Sequence, residues 1–134
     1  MATLRSEVVG IRVPEDIVRV RQIVREWSIG QKFSLVEQTK MITAASELAR
    51  NTLEHGGGGE VRLEALNDGP KLGLRLTFTD RGPGVADVEQ ALRDGYSTSG
   101  GMGLGLGGSR RLVNDFKITS RPGEGTTVVI ARWR

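Results

Sequence analysis

Between Gly100 and Gly108 the chain reads Gly-Gly-Met-Gly-Leu-Gly-Leu-Gly-Gly, six glycines in nine residues. Without Cβ atoms, successive backbone N–H groups can point into one concavity, so the chain passes here through a loop built for close approach. Ser109 to Asp115 then reads as a helix, and its N-terminus would add partial positive charge, so loop and helix end together suit a polyphosphate. A flexible linker is the competing reading. Met102, Leu104 and Leu106 alternate with the glycines, which a solvated linker has little reason to do. The loop matches neither common phosphate pattern: no Lys-Ser/Thr pair closes it as in a P-loop, and no strand immediately precedes it as in a Rossmann unit. A third kind of nucleotide site is implied.

A length of 134 residues fits one compact domain over 1–134, and an apolar content of 37% suffices for a core. No apolar run approaches the ~20 residues that span a bilayer. The segment Met1-Ala2-Thr3-Leu4-Arg5-Ser6-Glu7 lacks the apolar centre of a signal peptide, so cytoplasmic residence away from any membrane is expected. Cysteine is absent and histidine occurs once, which excludes disulfides and thiolate metal sites and argues against a zinc centre. The net charge of +3 raises nucleic acid as a partner, but the 19 Lys and Arg are spread along the chain and aromatics are 4%. Too few rings remain for a stacking platform, so no nucleic-acid partner is expected.

Val8, Val9, Ile11 and Val13 suggest a first strand, ended by Pro14, whose fixed φ suits the first turn of a helix. Ile17, Val20, Val24 and Trp27 recur at helical spacing up to Gly30. Ser34 and Glu37 form a capping box opening a second helix that runs to about His55, where Gly56 to Gly59 stops it. Val61, Leu63 and Ala65, then Leu72, Leu74, Leu76 and Phe78, alternate with other residues on either side of the turn Asn67-Asp68-Gly69-Pro70, the pattern of an antiparallel hairpin. A short helical stretch around Val88, Ala91 and Leu92 is expected. A second hairpin pairs Phe116 to Ser120 with Thr126 to Trp133. These elements predict an α/β fold: a two-layer α/β sandwich, with helices on one face of a mostly antiparallel sheet.

On the second helix Met41, Ala45, Leu48 and Thr52 form the natural core stripe. Glu47, Asn51 and Glu54 lie on the neighbouring stripe, so a carboxylate and a carboxamide one turn apart address the same small volume. An ordinary solvated helix face has the same look. The position favours chemistry: this helix ends in the four-glycine run, and a second acid, Asp80, ends the strand behind it. An Asn oxygen is a neutral hard ligand of the kind Mg²⁺ takes beside phosphate oxygens and water. A carboxylate can accept a proton from an attacking hydroxyl, and an acid at a strand end can accept a hydrogen bond from an exocyclic amine.

Glu47-Leu48-Ala49-Arg50-Asn51, Asp80-Arg81-Gly82-Pro83-Gly84 and Gly101-Met102-Gly103-Leu104-Gly105, in that order, resemble the N, G1 and G2 boxes of the GHKL ATPase and kinase superfamily. Ser46 to Asn51, Asp94 to Gly101 and the ending Val129 to Arg134 narrow the resemblance to the RsbT-type serine/threonine switch kinases of bacterial stressosomes, over nearly the full length. The resemblance implies a Bergerat fold with ATP between helices and sheet, Mg²⁺, and a serine or threonine acceptor on a STAS-domain partner. It implies Glu47 as general base and Asn51 as Mg²⁺ ligand. Asp80 would hold the adenine amine, with Gly82 and Gly84 shaping that wall and Thr126 nearby. Gly101, Gly103 and Gly105 would line the triphosphate. Phosphorylation of the STAS scaffold would free the kinase to engage and activate a downstream phosphatase or sigma-factor regulator. Two departures stand out: Arg81 follows the G1 acid, and Gly107-Gly108 loosens the lid.

A complete histidine kinase is disfavoured, because there is no separate phosphoacceptor helix domain and His55 sits beside the glycine run. Gyrase-like ATPases need a transducer domain for which there is no length here. The second function class is a non-catalytic, ATP-responsive anti-sigma or partner-sequestering module, for which a base at Glu47 would be unnecessary.

Overall fold

The computed structural model describes residues 1–84, 92 and 104–134. In chain order the elements are β1 (Ala2–Ile11), α1 (Pro14–Gly30), α2 (Leu35–Glu54), β2 (Gly59–Asp68), β3 (Lys71–Asp80), α3 (Leu104–Arg111), β4 (Asp115–Ser120) and β5 (Thr126–Trp133). The strands form a five-stranded sheet in the order β1-β2-β3-β5-β4, and each neighbouring pair is antiparallel. With the helices on the face that Val61, Leu63, Leu74, Leu76 and Phe78 bury, this is the expected two-layer sandwich.

Alternation sets which sheet face becomes core. In the β2–β3 register Val61 stands opposite Phe78, Leu63 opposite Leu76 and Ala65 opposite Leu74, all buried. The alternate residues Glu60, Arg62, Thr77 and Thr79 point to the other face. Helix α2 covers the core with Met41, Ala45, Leu48 and Thr52, each buried as the spacing requires. The buried Thr52 hydroxyl is satisfied by donating to Leu48 O at 2.9 Å. At the start of α2, Ser34 Oγ accepts from Glu37 N at 3.1 Å, and the Glu37 carboxylate accepts from Ser34 N at 2.8 Å. That Ser34 N–H holds the Glu37 carboxyl below the usual carboxylate range.

The turn between α1 and α2 is tied to the hairpin. Gln31 is 7% exposed, and its Nε2 donates to Leu66 O at 2.9 Å and to Gly73 O at 2.8 Å. One side-chain amide therefore bridges β2 and β3 from the helical layer. Both of its protons are used in doing so.

Two element boundaries differ from the sequence expectation. β1 begins at Ala2, not near Val8, because its first half is exposed throughout and carries no period-2 signal. Pairing with β2 from Ala2↔Asn67 to Ile11↔Gly59 forms it instead. The helix expected at Ser109 to Asp115 is α3 at Leu104–Arg111, and Asp115 opens β4. Glycine costs a helix interior about 1 kcal/mol relative to alanine, yet Gly105, Gly107 and Gly108 all lie in α3. Packing of this helix against α2, with Leu106 and Ser109 buried, outweighs that propensity. The expected short helix around Val88 and Ala91 lies outside the described residues, as do Gly101 and Gly103.

Candidate functional site

The end of α2, the end of β3 and two loops meet around Asp80. β3 carries Asp80 between Gly59 of β2 and Thr126 of β5, and its side chain faces the helices, 8% exposed. Asp80 Oδ1 accepts from Gly82 N at 2.9 Å, which closes the turn after the strand in the manner of an Asx turn. Gly56, the residue after the α2 cap, packs directly on the carboxylate: a Cβ there would overlap Asp80 Cγ and lie 2.6 Å from Oδ2. A Cβ on Gly82 would come to 2.6 Å from Gly56 Cα. No side chain larger than hydrogen fits at Gly56 without displacing the acid, or at Gly82 without displacing the Gly56 backbone.

A second loop locks onto the first. Gly84 has φ +76° and a Cβ there would overlap Arg121 O, while Gly125 has φ +81° and a Cβ there would overlap Asp80 O. Gly123 N donates to Pro83 O at 2.7 Å. Thr126 Oγ1 stands 2.8 Å from Ser120 Oγ, which bonds Gly125 O at 3.0 Å. His55 Nε2 lies 3.2 Å from Gly84 O, so the helix cap touches this loop as well. An open depression of about 570 Å³ runs beside the wall, with Arg12, Gly56, Asp80 and Arg81 among its lining residues.

Asn51 sits one turn before the cap. Its backbone O accepts from His55 N and from Gly56 N, both at 3.0 Å. Its side-chain Nδ2 is buried and has no hydrogen-bond partner among the described residues. A buried amide nitrogen left unpaired costs about 1–3 kcal/mol, and as a donor it can serve an acceptor such as a phosphate oxygen. Glu47, one further turn back on the same face, is half-buried and pairs with Arg50 Nη1 at 3.0 Å, the two side chains being 37% and 48% exposed. An exposed pair of this kind contributes under about 1 kcal/mol, which leaves the carboxylate available for other work.

Of the residues singled out in the sequence, the structure places Glu47 and Asn51 on one face of α2 and gathers Asp80, Gly82, Gly84 and Thr126 at the strand ends beyond it. Glu54, assigned by periodicity to the same stripe as Glu47, is exposed at the last turn. Gly105 lies inside α3. Two features were missed: Gly56 as the surface against which the acid rests, and Ser109, which is 1% exposed with Oγ unpartnered among the described residues. Gly56 could have been found from its place directly after the helix end. Nothing in the local pattern marks Ser109.

Among the described residues no group of three or more His, Cys, Asp or Glu could hold a metal ion. No helix among the described residues is long and apolar enough to cross a membrane.

The chain is similar in sequence and in fold to proteins already known. Residues 36–134 match the family described as histidine kinase-, DNA gyrase B-, and HSP90-like ATPase. Serine/threonine-protein kinase RsbT of Bacillus subtilis is 41% identical over 125 residues, which cover 93% of this chain and 94% of that protein. An anti-sigma F factor of Halalkalibacterium halodurans is 31% identical over 103 residues, covering 72% of this chain and 69% of that one. Among solved structures, the RsbU and RsbW domains of a Mycobacterium tuberculosis protein superpose with a TM-score of 0.66 at 21% identity, over 97% of this chain and 33% of that chain. Full-length ShkA in complex with AMPPNP gives a TM-score of 0.57 at 18% identity, over 98% of this chain and 32% of that chain. This chain thus spans about a third of each of these two solved chains, and they speak for the fold alone.

Proposed function

Since this chain belongs to the histidine kinase-, DNA gyrase B-, and HSP90-like ATPase family, and within it to the RsbT-type serine/threonine-protein kinases, we propose that it phosphorylates a STAS-domain partner. The reaction moves the γ-phosphoryl group of ATP onto a serine or threonine hydroxyl of that partner. The acceptor oxygen forms a bond to the γ-phosphorus, the bond to the bridging oxygen breaks, and ADP leaves. Such a transfer asks for positioning and charge neutralisation rather than covalent work from the protein.

Each motif residue then has a role in the transfer. Glu47 releases Arg50 and accepts the hydroxyl proton on its carboxylate. Asn51 presents its carboxamide oxygen to Mg²⁺, which when bound neutralises triphosphate charge. Asp80, fixed by Gly56 and Gly82, accepts from the adenine amine, with Gly84 and Thr126 bordering the base. Gly101, Gly103 and Gly105 line the triphosphate. The kinase acts in the cytoplasm as part of a stressosome pathway, and once released from its STAS partner it activates a downstream phosphatase. The observation that carries the reading is that Glu47 and Asn51 lie one turn apart on the helix whose end, at Gly56, packs on Asp80.

The test is incubation of the chain with γ-labelled ATP, Mg²⁺ and a STAS-domain protein. Label is expected on the partner, and Glu47→Gln is expected to reduce transfer by about 10²-fold or more while nucleotide still binds. Unchanged transfer in the variant removes Glu47 from the role of base. The likeness to anti-sigma F factor favours a second reading, an ATP-responsive module that sequesters its partner. Under that reading the partner binds in an ATP-dependent way and stays unlabelled.

A further inference from the structure

Three polar side chains stand in one row across the end of the sheet. Ser120 of β4 is opposite Thr126 of β5, and Thr126 is opposite Asp80 of β3. Residues directly opposite each other in antiparallel strands share a face, with Cβ atoms about 4.5–5.5 Å apart. Asp80 lies on the helix side with Phe78, two positions before it on the strand, so the whole row does.

A hydroxyl has one proton to give. Ser120 Oγ lies 3.0 Å from Gly125 O and 2.8 Å from Thr126 Oγ1. A carbonyl oxygen only accepts, so the Ser120 proton goes to Gly125 O, and the second contact is a hydrogen bond only if Thr126 donates it. Gly125 is itself packed tightly on the Asp80 backbone, which keeps its carbonyl in place for Ser120. The Thr126 proton is thus committed toward β4, away from Asp80. On the Asp80 side Thr126 has lone pairs alone to offer. The carboxylate, whose Oδ1 accepts from Gly82 N, likewise offers lone pairs alone.

Resting on the ATP-binding reading above, we propose that Ser120 is a specificity-determining positioning residue. By receiving the Thr126 proton it fixes the Thr126 oxygen as an acceptor beside the Asp80 carboxylate. Two acceptors in one row suit the exocyclic amine of adenine, which has two protons to give. A purine with a carbonyl in place of that amine sets lone pairs against lone pairs, and a site built to bond a donor rejects an analogue lacking it. Without Ser120 the Thr126 hydroxyl turns, and its proton becomes available to such a carbonyl.

The test compares ATP with inosine triphosphate, which carries the carbonyl, by calorimetry in the presence of Mg²⁺. The parent is expected to bind ATP at least about tenfold more tightly. Ser120→Ala is expected to shrink that ratio about threefold or more, and Ser120→Thr, which keeps a hydroxyl, to preserve it. In a Thr126→Val background Ser120→Ala is expected to leave the ratio unchanged, because valine lacks the hydroxyl through which Ser120 acts. A loosened loop would weaken both nucleotides alike and leave the ratio where it was. An unchanged ratio in Ser120→Ala, an equal shift with and without the Thr126 hydroxyl, or a parent indifferent to the two nucleotides would overturn this role of Ser120 while ATP binding stands. A parent that binds neither nucleotide would overturn the proposed function, and this role with it.

Discussion

At the turn of the β2–β3 hairpin, a Cβ on Gly69 would meet no atom within 4 Å. At the other end of the same two strands, a Cβ on Gly56, Gly59, Gly82, Gly84 or Gly125 would overlap backbone or the Asp80 carboxylate. Gly69 is there for its φ of +59° alone, a conformation that other residues enter at a cost of about 1–2 kcal/mol. The glycines around Asp80 are there because two loops and a helix end approach more closely than any side chain allows. Glycine enrichment is thus a sign of slack chain at one end of the hairpin and of the tightest packing in the described molecule at the other.

Substitutions to alanine should separate the two ends, in descending order of effect. Gly125→Ala combines a φ of +81° with overlap on Asp80 O. It is expected to cost about 3 kcal/mol or more in urea unfolding, the sum of backbone strain and overpacking. A cost below that of Gly69→Ala would break the contrast. Gly56→Ala leaves φ unstrained but displaces the acid. It is expected to weaken ATP binding about 10- to 100-fold, as an overpacking strain of 1–3 kcal/mol would, and calorimetry gives the answer. Gly69→Ala is expected to lose about 1 kcal/mol of stability, from strain alone, with nucleotide affinity unchanged. Altered affinity there would mean that the two ends communicate.

The smallest effect lies along the strands between them. Arg75 donates to Glu64 from Nε at 2.9 Å and from Nη2 at 3.1 Å, and this pair holds the Glu64 carboxyl below the usual carboxylate range. A carboxyl whose folded pKa is depressed adds stability above its unfolded value, near pH 4.3, and loses it as pH falls through the folded value. Because the pair is only partly buried, Glu64→Gln is expected to cost about 0.5–1 kcal/mol near neutral pH. The gap between variant and parent should close as pH drops below about 4. A gap that persists in acid would show that packing, not charge, is the cause.

Much of this architecture was legible because its signals are local. The Ser34–Glu37 capping box, the core stripe of α2 and the alternation of β2 and β3 each depend on neighbours within a few positions. The first half of β1 has no such signal, since its partners are residues 64–67 of the chain. α3 was misplaced because glycine argues against helix when read alone, and its burial against α2 becomes visible only in three dimensions. At the candidate site, the motif residues Glu47, Asn51 and Asp80 stood out. Gly56 read as a helix stop although its main role is contact with an acid 24 positions away. Periodicity assigned Glu54 to the site stripe, but it cannot tell where a helix leaves the cover of its neighbours.

Gln31 anchors both arms of the hairpin just short of its tip, at Leu66 and Gly73. Strain introduced at Asn67 to Pro70 therefore meets a fastening before it can travel down the strands to Asp80. That tip is the natural place to splice in an epitope, a fluorophore or a new pair of chain ends. A protein altered there should report on the proposed nucleotide pocket without disturbing it.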